Sequence, residues 1–214
     1  MVATTPSATL RARWLDALLP NVAFDGWTDE AARSAADSAD LSPGEQALAA
    51  PRGVIDLIDH LFDAAEDAAR DTIAAADLNV LGVRDKVTLG VKAWLDALEP
   101  NREAVRKAAA KGFLPWVAGD SLQRTWSVAD MVWTAIGDPS EDYNKYSKRG
   151  LLAAMIPLIV LKWLDEDDEE KMEAYIRARL TGAMRLGQAG GRVAKPVLEV
   201  LGRLRGRPPG TGVS

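Results

Sequence analysis

Few side chains in this sequence could do chemistry by themselves. His60 is the only histidine and cysteine is absent, which rules out thiol nucleophiles, thiolate metal sites and disulfides. His60 stands in a helical stretch without carboxylates spaced as metal ligands, the setting of a structural or solvated imidazole rather than a catalytic base. No phosphate loop, dinucleotide glycine pattern or nucleophile elbow occurs. The acidic run 165–170 lacks the alternating ligands of a calcium loop and reads as a solvated turn opening a helix. Gly187, Gly190 and Gly191 precede a basic amphipathic stretch instead of following a strand, so they read as a hinge. The expectation is a protein that binds and does not catalyse, with no metal and no cofactor.

One stretch does concentrate polar function. Asp138 followed by Pro139, with Glu141 three residues past it, predicts the start of a helix at Pro139. That helix would carry Asp142, Lys145, Tyr146 and Arg149 on one face, since residues three and four apart are neighbours. Its second half, 151–161, has no polar side chain, so it should be enclosed on all sides. It is too short to span a bilayer, which takes about 20 apolar residues. Pro157 inside it predicts a kink.

The remaining elements must position this spine. Alanine and leucine dominate and long alternating Val/Ile/Thr runs are missing, an all-α composition. Helices are expected at about 8–23, shortened by Pro20, then 28–38, then 43–50 behind Asp40 to Ser42. A long helix follows at 53–76, with Asp56, Asp59, Asp63, Glu66 and Asp67 outward. Further helices are expected at 83–99, from an Asn101 cap to Gly112, at 120–136 and at 169–186.

Three short helices before a long one is the layout of a TetR-type helix-turn-helix regulator. The third helix carries Glu45, and Asp29, Glu30, Asp37 and Asp40 surround it, with Arg52 the nearby cation. Such a surface repels phosphates, so nucleic-acid binding is not expected.

Bulky apolar groups are plentiful in the second two-thirds: Trp94, Phe113, Trp116, Trp126, Trp133 and Trp163. Core packing explains each singly. Together with the apolar half-helix they suggest a lipid-sized cavity among Val91, Trp94, Leu95, Leu98, Trp126, Met131, Leu152, Met155, Ile156, Ile159 and Trp163.

Charge is divided. The net is −5, yet Arg185, Arg192, Lys195, Arg203, Arg205 and Arg207 in the last thirty residues meet only Glu199. A helix from Pro196 would put Val197, Val200, Leu201 and Leu204 on one face, with Arg203 and Arg205 elsewhere. Such a segment can lie in a membrane interface, dock on the core, or pair with a second subunit; its basic flanks favour the membrane. The first residues show no secretory signal, and a cytoplasmic protein peripheral on a bacterial inner membrane is expected.

The octet Asp142 to Arg149, with Gly137 and Asp138 before it and Leu152, Ala153 and Ala154 after it, resembles a known family. This is the lipid-binding accessory protein of ubiquinone biosynthesis, ninth in the eukaryotic Coq series, with a TetR-like fold. The resemblance extends upstream through Gly26 and Trp27 and downstream to the tail. It implies a homodimer with a pocket for isoprenoid lipid, quinone intermediate or phospholipid, and a C-terminal helix that engages the membrane. It also implies a partner, the diiron demethoxyubiquinone hydroxylase, met through Asp142, Lys145, Tyr146 and Arg149 with Trp133 nearby. Two positions depart from the family pattern: Lys145 stands where animal members have tryptophan, and Pro157 is unusual.

The expected organisation is therefore a degenerate helix-turn-helix region at 1–52, a helical ligand-binding domain at 53–186, and a hinge, amphipathic helix and tail at 187–214. The expected function is lipid presentation to the hydroxylase, and the alternative is a ligand-responsive TetR-type regulator.

Overall fold

The computed structural model describes residues 5–110, 121–140 and 142–188. Phe113, Trp116, the hinge beyond Gln188 and the segment with Val197, Val200, Leu201, Arg203, Leu204 and Arg205 lie outside them. So do the side chains of Asp142 and Glu141. Among the described residues all regular structure is helical.

Three short helices open the chain: α1 (Pro6–Asp25), α2 (Asp29–Ser38) and α3 (Pro43–Ala49). Each has a side-chain cap, from Thr5, Thr28 and Ser42, and Ser42 forms a full capping box with Glu45. Pro20 lies inside α1 and does not shorten it. A proline deletes one amide donor, and the packed residues Trp14, Leu15, Leu18 and Val22 on the same helix outweigh that loss.

Trp27 fastens this unit to the rest. It is 1% exposed, and its indole nitrogen donates to the Ala104 carbonyl at 2.8 Å. Ala104 belongs to α6 (Arg102–Ala110), which also packs on α1. The degenerate helix-turn-helix region thus shares one continuous core with the larger part.

α4 (Val54–Ala75) and α5 (Val83–Leu98) form the most extensive helix pair. Their close approach to α7 (Ser121–Ala135) depends on Gly90, where a β-carbon would stand 2.8 Å from Val132 Cγ1. α8 (Asp142–Asp165) packs along α7, and α9 (Glu169–Gln188) crosses both α5 and α8. A 3-10 turn at Glu99–Asn101 leads into α6, so Asn101 is not a cap.

Two acids expected to face solvent on α4 are buried. Asp56 is 7% exposed and accepts from the Arg52 amide at 2.7 Å and its Nε at 2.8 Å. Glu66 is 3% exposed, accepts from Ser127 of α7 at 2.9 Å, and leaves Oε1 without a hydrogen bond. Pattern alone placed it outward because the partner that draws it in, Ser127, comes from another helix.

Burial pushes the Glu66 carboxyl above its ordinary value of 4.5, against the opposing hydrogen bond from Ser127. The folded chain therefore holds a proton that the unfolded chain gives up, and this group costs stability as pH rises above 4.5. Glu66→Gln should flatten that fall. Urea midpoints from pH 4 to 7, on the order of the usual carboxyl range, check it: the gap between variant and parent widens with pH.

Candidate functional site

The corner where α7 turns into α8 is built from the most specific residues of the sequence. α7 ends on Gly137 at φ 72°, a left-handed position natural to glycine. The Asp138 amide donates back to the Trp133 carbonyl at 3.1 Å and the Gly137 amide to Thr134 at 3.0 Å, a Schellman closure. The next helix begins at Asp142 and not at Pro139. Asp138 is turned inward to other work, which is why it does not serve as the cap three residues earlier.

Its carboxylate is 5% exposed, and Oδ1 accepts from Lys148 at 2.7 Å and from the Ser140 hydroxyl at 3.0 Å. Lys148 also sits 5.0 Å over the Trp133 ring. Arg149, one residue on, is 4% exposed and donates to Asp130 through Nε and to Thr134 Oγ1 at 3.3 Å. A third donation goes to the Lys145 carbonyl at 3.3 Å. Asp138 Oδ2 lies 3.9 Å from Arg149 and has no hydrogen bond. Asp130 and Thr134, four apart on α7, are thus the other half of the Arg149 site. Their spacing was the available sign of it.

The expected polar face therefore divides. Arg149 and Trp133 are buried and bind the corner together, whereas Lys145 and Tyr146 face outward. Tyr146 is 46% exposed and its ring stacks on that of half-buried Trp126, centroids 6.3 Å apart. Gly150 keeps the backbone close beneath, with a β-carbon there 3.9 Å from the Trp126 ring. What remains on the surface is an aromatic pair flanked by Lys145, held over an ion-paired base.

The residues expected to line a lipid cavity come together as one group. Val91, Trp94, Leu95, Leu98, Met131, Leu152, Ile156, Ile159 and Trp163 are buried in the core, and Met155 packs against it while Trp126 stays half-exposed. Phe62 stacks on Trp94 at 6.3 Å. α8 runs unbroken through Pro157. Nor is its apolar half enclosed on every side within one chain: Leu158 and Leu161 are each 46% exposed, with Ala154 on the same side.

Leu95 and Trp163 reach a cleft of about 180 Å³ between α5 and α9. Met172 and Ile176 complete its apolar floor, and the α8–α9 turn forms its end. The acidic turn is solvated as expected, with Asp167 94% exposed, and its backbone is held from beneath. Arg102 donates to the carbonyls of Trp163 and Glu166 and pairs with Asp167 at 2.7 Å, while Arg106 reaches the Leu164 carbonyl. The basic helix α6 thus closes the C-terminus of α8, where cations are favoured. Asp168 caps α9, its Oδ1 taking the Lys171 amide at 3.1 Å. The Lys92 ammonium beside Glu169 holds that carboxyl below its usual range. No group of residues that could hold a metal occurs among the described residues, and no described helix is long and apolar enough to cross a membrane.

Comparison with known proteins converges on the same region. The COQ9 family model matches residues 118–187, which contain α7, the corner, α8 and nearly all of α9. The human ubiquinone biosynthesis protein COQ9, mitochondrial, is 27% identical over 186 residues, which is 83% of this chain. The chain spans 58% of that protein's length. The solved structure of a TetR transcriptional regulator from Nitrosomonas europaea superposes with a TM-score of 0.64 over 82% of this chain and 98% of that one. At 19% identity this likeness establishes a TetR-like fold alone. The chain resembles COQ9 in sequence and TetR regulators in fold.

Proposed function

We propose, with that resemblance to COQ9 as the premise, that this protein is a non-enzymatic accessory of ubiquinone biosynthesis. It binds an isoprenoid lipid, quinone intermediate or phospholipid at a membrane surface and presents substrate to a diiron demethoxyubiquinone hydroxylase. The observation that carries the reading is the corner itself. The segment most like the family holds, on a buried ion-paired base, an exposed Trp126–Tyr146 pair next to Lys145. Exposed aromatics on rigid backbone are what protein interfaces use as anchors.

The lipid would enter among the core residues of α5, α7 and α8, and each buried methylene of a prenyl chain contributes about 0.8 kcal/mol. The exposed stripe of Ala154, Leu158 and Leu161 suits a second copy in a homodimer. The segment 196–205 would hold the dimer on a membrane of anionic lipid. Mass spectrometry of lipids carried through a detergent-free purification tests the reading. Prenyl quinone intermediates or phospholipids are expected in stoichiometric amounts, and their repeated absence would sink it.

The partner surface has its own test. Tyr146→Ala should weaken binding to the hydroxylase by about 2 kcal/mol, roughly thirtyfold, as truncation of an interface anchor does. The urea midpoint should move far less than the affinity, because the ring is about half in solvent and touches the fold mainly through Trp126. Unchanged affinity would remove this corner from the interface. Fold likeness also favours a regulator, but Glu45 on α3 counts against phosphate binding. Tight, sequence-specific retardation of duplex DNA would reverse the choice.

A further inference from the structure

The cleft between α5 and α9 shares Leu95 and Trp163 with the lipid-lining group, and its open side has a charge and apolar character of its own. Its floor is apolar: Leu95, Trp163, Met172 and Ile176 are each at most 6% exposed. Its rim is acidic, with Asp96, Glu99, Glu166, Asp167, Glu169 and Glu173 against Lys92 and Arg102 in the rim and Lys162 and Arg177 beside it, which pair with Glu166 and Glu173, so that six carboxylates face four cations. Both rim cations are engaged, Lys92 by Asp96 and Glu169, and Arg102 by Glu99, Asp167 and the carbonyls of the turn. An apolar floor inside a carboxylate ring fits methylene or aliphatic side chains flanked by cations.

The sequence contains one such segment. Beyond Gln188 the chain carries Arg192, Lys195, Arg203, Arg205 and Arg207 with Glu199 as the single acid, around Val197, Val200, Leu201 and Leu204. It also starts from the right place, since α9 is a wall of the cleft and Gln188 is its last residue. From Met172 to Gln188 the helix rises about 24 Å. The eight residues 189–196, with Gly190 and Gly191 among them, span at most about 26 Å when extended, enough to return along α9 to the floor.

We propose that the C-terminal segment 197–207 docks in the α5–α9 cleft of its own chain, its apolar side chains on Leu95, Met172 and Ile176 and Arg203, Arg205 and Arg207 among the rim carboxylates. The same side chains are those assigned to the membrane, so the two uses exclude each other. Anionic lipid competes with the cleft for the segment, and the protein holds its membrane anchor covered until a charged bilayer draws it out. This rests on the membrane role proposed above.

The absence of native cysteine lets two labels be placed cleanly in the full chain, at Glu170→Cys on the exposed start of α9 and at Gly202→Cys. Dipolar distance measurement between spin labels should give a narrow, short population in solution. Phosphatidylglycerol vesicles, or Asp96→Asn with Glu169→Gln and Glu173→Gln, should broaden and lengthen it. The neutralised chain, with helicity unchanged by circular dichroism, should bind those vesicles about tenfold more tightly, as expected when a closed state of about 90% is abolished. A short distance in a mixture of singly labelled chains assigns the segment to a second copy's cleft and overturns the proposal, as does a long, broad distance indifferent to the neutral variant. If the distance behaves as stated and no variant binds vesicles, the docking stands and the membrane role falls.

Discussion

Arg149→Ala should cost this protein about 3–5 kcal/mol of stability, read as a large drop in the urea midpoint with an unchanged slope. Arg149 is 4% exposed and links Asp130 and Thr134 of α7 to the backbone of its own helix. Removing it leaves Asp138, whose side chain is 5% exposed, with Lys148 as its remaining cation and one oxygen still without a hydrogen bond. The cost arises mainly from the lost bonds between α7 and α8 and the void left by a buried side chain, with weakened compensation of Asp138 adding to it. Arg149→Lys keeps the charge without the planar fork and should fall between the two. Equal midpoints for all three proteins would mean that Asp130, half in solvent, carries the pair at no net gain. The consequence for function is positional: a loosened α7–α8 corner would release Tyr146 from Trp126 and weaken partner binding without touching the interface.

Trp94→Ala is the second large effect, again about 3–5 kcal/mol, and it bears on the lipid reading. Trp94 is 1% exposed, stacks on Phe62, and shares one buried core with the residues of α5 and α8 assigned to a prenyl chain. If its role is packing, truncation leaves a void and the midpoint falls by the full amount. If the ring instead borders space that a lipid fills, truncation costs less than about 1 kcal/mol, below the packing range, and alters the lipid recovered. The two outcomes separate by calorimetry and mass spectrometry on one sample.

Much of this was legible in the chain before any coordinates. The 3.6-residue recurrence of apolar side chains and the caps at Thr28 and Ser42 place the N-terminal helices. Composition favours helix and excludes thiol chemistry, and the octet around Tyr146 points to the family whose model matches residues 118–187. These are local properties. Helix propensity, capping and periodic burial act over one or two turns, so they survive without knowledge of neighbours.

What only the tertiary structure decided is which polar groups face inward, and against what. Asp138 reads as a helix cap until Lys148 and Ser140 are seen to claim its carboxylate. Arg149 reads as partner surface until α7 brings Asp130 and Thr134 beneath it. The acidic run 165–170 keeps its side chains largely in solvent, as its composition suggests, but only the fold shows Arg102 and Arg106 of α6, some 60 residues away in sequence, taking the backbone carbonyls of Trp163, Glu166 and Leu164 beneath it. A charge has no intrinsic inside or outside. Its place is set by the partner that offsets its desolvation, and that partner comes from another helix.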